Sequence, residues 1–282
     1  MKFEAKALGV KDYLPASLDP SITDKDLQTG VSFGSAGSGF DPQTSTLTLK
    51  RNNGEEAANN IITNSVVVVI AGNNDLLVSR AIRGLQNDIP AYANMLVKHV
   101  MNFTQEIYKL GVKRIVVFSA PPIGCLPALR TLAGGPHRTC VDEENNAALM
   151  FNNILKQQLQ FWAASFPQSR VAFTDYYNPL ISIIENPKKY GFDVADKGCC
   201  GTGAIEVSYA CNKLNPTCPD DSNYFFWDSF HLSEKGNNIV ANLIIQDLVN
   251  TTTRKGPCAD GAYTDDTCRR DRSPYTDDMS SG

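Results

Sequence analysis

The chain has no apolar run long enough to cross a bilayer. The longest, residues 66–71 (VVVVIA), is six residues, against the roughly 20 that a membrane helix needs. The opening MKFEAKALGVKDYLP has no apolar core of the kind that makes a secretory leader. Dense Lys/Arg runs and basic-aromatic stripes are missing too. With a net charge of -4, this argues against nucleic acid as a partner. Histidine is scarce, with three in all (His99, His137 and His231), so few positions can supply an imidazole base or metal ligand. No paired C-x-x-C occurs, which weighs against a zinc ribbon.

What remains is ordinary globular material. The 282 residues are 42% hydrophobic and 20% charged, enough for one large domain or two small ones with a real core. Eight cysteines stand in Gly/Pro-rich stretches: Cys125, Cys140, Cys199, Cys200, Cys211, Cys218, Cys258 and Cys268. An even count in loops points to disulfides and an oxidising compartment. Cys125 and Cys140 bracket one such loop and are expected to pair. The adjacent Cys199 and Cys200 are expected to seek different partners, and Cys258 and Cys268 could close a small loop. Sequons at Asn102-Phe-Thr and Asn250-Thr-Thr fit secretion. Export chemistry without an export signal suggests that something is missing in front.

Along the chain, β-branched runs alternate with amphipathic ones. Residues 65–71, 114–119 and 170–174 read as strands, the first two as buried parallel ones. Ile89, Tyr92, Leu96, Val100, Phe103, Ile107 and Leu110 recur at steps of three and four, one apolar face of a helix over 87–110 that Gly111 ends. Further helices are expected over 142–166, opened by acids that suit its N-terminal dipole, over 177–185, and over 234–249 behind a Ser233 cap. The alternation predicts an α/β fold on a parallel sheet. After Val249 the sequence turns polar and aperiodic, so 251–282 reads as a mobile tail beyond a domain of residues 1–250.

Sites in such sheets form beyond the carboxyl ends of strands. The first long strand ends in Gly-Asn-Asn-Asp, residues 72–75, either a plain polar turn or a source of a side-chain amide for a developing oxyanion. GVSFGSAGSG at 30–39 is either a flexible loop or a turn that exposes a backbone N–H. In FWDSFHLSEKGN, Asp228 stands three residues before His231. At that spacing in a turn, a carboxylate meets imidazole Nδ1, fixes the tautomer and leaves Nε2 free to take a proton. The bland alternative is a chance pair in a capped loop.

Five stretches in order, GVSFGSAGSGFD (30–41), GNND (72–75), PPIGCLP (121–127), CCGTG (199–203) and WDSFHLSEKGN (227–237), resemble the plant-type GDSL esterase/lipase family of SGNH hydrolases. The resemblance covers about residues 4 to 249. It implies a flavodoxin-like three-layer α/β/α domain, secretion, no cofactor or metal, and hydrolysis of lipid or other carboxylic esters. By that resemblance Asp228 and His231 are acid and base, and Gly37 and Asn74 form the oxyanion hole. Ser32 and Asn73 depart from the family's commoner residues, at positions without chemistry.

The family's nucleophile is the Ser of a Gly-Asp-Ser turn after its first strand, and no Gly-Asp-Ser occurs here. The chain is therefore expected to be truncated, with Met1 inside the domain. It should lack the central strand between a short strand near 31–33 and the strand at 65–71, leaving a slot beside residues 66–70 or a non-native segment filling it. Two substitutes are weak. Gly30-Val-Ser-Phe-Gly34 spells a nucleophile elbow at Ser32 but follows a polar, Pro-broken segment rather than a buried strand. Ser229 lies too close to His231 in sequence to be presented in line. An ester hydrolase, a non-catalytic remnant that binds lipids or partners, and a zinc or redox protein built on the cysteines are the competing functions.

Overall fold

In the computed structural model of the chain, the described residues are 11–17, 19–32, 62–79, 88–166, 168–207 and 210–253. Three parallel strands, β1 (Val66–Val69), β2 (Arg114–Phe118) and β3 (Arg170–Thr174), form a sheet in the order β1-β2-β3. Register is tight, with Val67 beside Ile115 and Val117 beside Phe173. These are the three β-branched runs of the sequence, at nearly the expected bounds.

Side chains alternate across a strand, and β2 divides them between two cores. Ile115 and Val117 face a large one with Leu96, Val100, Phe151 and Leu155, whereas Val116 and Phe118 face a smaller one with Ile244. The large core is roofed by α2 (Ile89–Lys109) and α4 (Asp142–Ser165), which pack on each other. The opposite face is covered by α6 (Glu234–Thr253), lying on β2 and β3. The result is the three-layer α/β/α arrangement expected.

Local chemistry sets the helix ends. Asp88 caps α2 by accepting from Ala91 N at 3.1 Å, with Pro90 in the first turn. Gly111, at φ 106°, turns the chain out of it. Asp142, Glu143 and Glu144 occupy the first turn of α4, where a helix favours negative charge. Ser233 Oγ accepts from Gly236 N at 3.0 Å, the predicted cap of α6. That helix runs through Thr253, three residues past the expected domain boundary at 250; residues 254–282, and with them the expected tail and Cys258 and Cys268, lie outside the described residues.

Shorter elements complete the fold, most of them not expected from the sequence. A short α1 (Asp24–Thr29) is held by a capping box between Thr23 and Asp26. Two more short helices, α3 (Pro127–Ala133) and the anticipated α5 (Tyr177–Glu185), follow β2 and β3. A separate parallel pair joins β4 (Val194–Gly198) to β5 (Tyr224–Phe226). Of the short strand expected at 31–33, Ser32 makes only an isolated parallel bridge to Ala16, and Phe33 is outside the described residues. Among the described residues β1 pairs with β2 alone, so the outer edge of β1 carries no described strand.

Candidate active site

Two candidate segments follow parallel strands, one after β1 and one after β5. The turn after β1 begins at Gly72, whose φ of 101° is a backbone state that a Cβ disfavours. Leu76 N closes back on Gly72 O at 3.0 Å, and Tyr92 Oη donates to Asp75 O at 2.9 Å, anchoring the turn to α2. Asn74 sits half-buried in it. Gly37 lies outside the described residues.

The Asp228–His231 turn follows β5. Trp227 N donates to His231 O at 2.8 Å, closing the loop on itself. Inside it, Asp228 Oδ1 accepts from Phe230 N at 2.8 Å and His231 N at 2.7 Å, while Oδ2 meets His231 Nδ1 at 2.7 Å. Three contacts from its own turn thus hold the carboxylate. The side chain of Asp228 is 4% exposed and that of His231 66%: the acid is buried and the ring faces outward, with Nε2 free of Asp228.

Burial pushes the Asp228 carboxyl up. The His231 ring and the two backbone N–H groups together outweigh that and hold it below the usual carboxylate range. The bond to Asp228 pushes the His231 imidazole up, partly opposed by lost hydration. The pair's contribution to stability is therefore present between the two shifted values. It is lost as pH falls through the lowered Asp228 value and as pH rises through the raised His231 value. His231 should titrate above 6.5, and Asp228→Asn should bring it down. Proton NMR of the three histidine rings checks both; a midpoint at or below 6.5, or no fall in the variant, would contradict the geometry.

Two neighbours position this turn. Cys199 N and Cys200 N both donate to Trp227 O, at 2.9 and 2.8 Å. Gly198 lets the strands approach: a Cβ there would stand 2.7 Å from the Asp228 carbonyl. From the other side, Ala128 N at the start of α3 donates to Ser229 O at 3.2 Å. Disulfides lock both neighbours. Cys199–Cys218 and Cys200–Cys211 tie down the CCGTG loop, and Cys125–Cys140 holds the segment leading into α3. The expected pairing and the separate partners of the doublet are both present. These six cysteines are consumed as disulfides, which removes them as zinc ligands or free redox thiols. Among the described residues no group of three His, Cys, Asp or Glu could hold a metal, and no helix is long and apolar enough to cross a membrane.

The two substitute nucleophiles fare poorly. Ser229 Oγ is fully buried and makes no hydrogen bond among the described residues, so no substrate reaches it. Ser32 follows helix α1 and itself makes only an isolated bridge, so it lacks the buried strand before it that an elbow requires. Sequence reasoning missed Gly198 and Glu206, whose backbone O accepts from Ser229 N at 2.9 Å. Their proximity to the CCGTG block was the only signal, since close approach is a tertiary property.

Comparison with known proteins agrees with this architecture. The profile described as GDSL-like lipase/acylhydrolase matches residues 2–244. GDSL esterase/lipase EXL3 of Arabidopsis thaliana is 40% identical over 267 residues, covering 87% of this chain and 73% of that protein. GDSL esterase/lipase At3g14820 of the same plant is 42% identical over 260 residues, covering 86% and 74%. With a family match across most of its length and relatives of this identity, the chain belongs to the GDSL lipase/acylhydrolase family, whose chemistry is ester hydrolysis.

Proposed function

We propose that Asp228 and His231 are the acid and base of an ester-hydrolysing triad, that Asn74 with Gly37 supplies the oxyanion donors, and that the serine nucleophile is not among these 282 residues. The observation that carries this is the 2.7 Å contact between a buried Asp228 and the ring of an outward-facing His231. Nδ1 is held by the carboxylate, so Nε2 is the nitrogen left to accept a serine proton as the serine oxygen attacks an ester carbonyl. The same proton then goes to the departing alcohol, and water repeats the cycle on the acyl-enzyme. Because the base must be neutral, its raised pKa places the rise of activity above the usual histidine value. The substrates are small-molecule or lipid carboxylic esters, and three disulfides fit an extracellular setting.

A non-catalytic role in binding lipids or a partner is the second reading, favoured by the lack of any Gly-Asp-Ser. For the chain of 282 residues by itself, the expected result is no turnover of p-nitrophenyl acetate and no labelling by a fluorophosphonate probe. Turnover that disappears in His231→Ala would mean that a nucleophile exists within these residues and would defeat that part of the assignment.

A further inference from the structure

We infer that Glu206 is a positioning residue for the Asp228–His231 pair, acting through the backbone of the loop that grips Ser229. The inference rests on the proposed roles of Asp228 and His231. Ser229, between them, is held from both sides: its N–H by Glu206 O at 2.9 Å and its carbonyl by Ala128 N at 3.2 Å. The Ala128 side is stiff, being the first turn of a helix anchored by a disulfide. The Glu206 side is a loop of Thr and Gly residues with no regular ladder.

The Glu206 carboxylate gives that loop its shape. Oε1 accepts from Thr202 N at 3.0 Å, and Oε2 accepts from Thr202 Oγ1 at 2.8 Å and Ile205 N at 3.3 Å. Thr202 Oγ1 in turn accepts from Ala204 N at 3.3 Å, and Ala204 O accepts from Thr131 Oγ1 on α3 at 2.9 Å. The loop bends sharply at Gly201 and Gly203, with φ of 66° and 73°. A Cβ on Gly201 would meet the Glu206 side chain at 2.6 Å, so the carboxylate lies against the bend it stabilises. Donation by Thr202 N, more than offsetting desolvation, helps to hold the Glu206 carboxyl down to about 2. It therefore stays an acceptor at any working pH. Nothing reacts at Glu206. Its carboxylate fixes where its own carbonyl points, and that carbonyl fixes Ser229.

The test reads His231 directly. In Glu206→Ala the NMR titration midpoint of His231 should fall toward the ordinary value of about 6.5, as the Asp228 contact loosens. Glu206→Gln, which keeps an acceptor for Thr202 N, should fall less. Thr202→Val, which removes one donor to the carboxylate, should shift in the same direction. In a catalytically complete form, Glu206→Ala should lower kcat by about 10- to 100-fold with little change in KM. A folded Glu206→Ala whose His231 titrates as in the parent would overturn the inference. A fall in Glu206→Gln equal to that in Glu206→Ala would also overturn it, since lost charge alone would then explain the shift. If Glu206→Ala does not fold, Thr202→Val decides, and an unmoved His231 there refutes positioning. The titration needs no turnover, so loss of the catalytic reading and loss of this one are told apart.

Discussion

Joined behind a segment that supplies a Gly-Asp-Ser nucleophile turn, the chain should hydrolyse p-nitrophenyl acetate, and His231→Ala should cut kcat/KM by about 10⁴-fold or more. The size follows from what is removed. His231 alone pairs a buried carboxylate at 2.7 Å with an outward ring; among the other two histidines, His99 lies within α2 and His137 in the loop that Cys125–Cys140 closes. Without His231 no group takes the serine proton, and binding and the oxyanion donors are left to supply the residual rate. Asp228→Asn should cost about 10⁴-fold in kcat by a different route. Its amide oxygen can still accept from Phe230 N and His231 N, so the turn persists. Its NH₂ group, however, faces Nδ1 and forces the tautomer that blunts Nε2 as a base. Steady-state kinetics of the three forms checks this, and His231→Ala within tenfold of the parent would exclude His231 as the base.

The second large effect concerns stability. Replacing both Cys199 and Cys218 by Ser should lower the unfolding free energy by about 3 kcal/mol, as expected for closing a loop of this size, here a sequence separation of 19. For a domain this large that corresponds to a fall in Tm of roughly 6–12 °C. Thermal unfolding followed by circular dichroism measures it, and a fall under about 2 °C would contradict the chain-entropy argument. Removing Cys200–Cys211, with a separation of 11, should cost somewhat less. Either loss also untethers a residue whose backbone N–H grips Trp227 O, so the His231 midpoint should fall alongside Tm.

The sequence showed much of this fold because the relevant signals are local. Runs such as VVVV and RIVVF can satisfy their apolar faces only inside a sheet covered on both sides, and they became β1 and β2. The Asp228–His231 contact spans three residues and is closed by its own turn, so spacing alone foretold it. Other features were hidden for physical reasons. The β4 sequence VADKG has no apolar period, and its pairing with the aromatic β5 is a tertiary contact that its own residues do not signal. Gly198 is needed only because another backbone comes within 2.7 Å of where its Cβ would be, a distance no one-dimensional pattern encodes. The helical α3 begins at a proline in a segment that reads as loop, with a disulfide just before it. Asn74 was read from its place in GNND, and its half-buried turn is fixed by Tyr92, 18 residues away in sequence.

The Cys199-Cys200 doublet has a consequence for biosynthesis. Its two bridges are nested, Cys200–Cys211 within Cys199–Cys218, and Cys211 leaves the ribosome before Cys218. For that interval two neighbouring thiols compete for one partner, and four cysteines allow three pairings. Capture of Cys211 by Cys199 would leave Cys200 to Cys218 and twist the strand end that grips Trp227. Correct oxidation of this segment is therefore a sorting problem, one that thiol–disulfide exchange through mixed disulfides can resolve. Yield of the folded protein should depend on an oxidoreductase able to reshuffle bonds, more than on an oxidant that merely makes them.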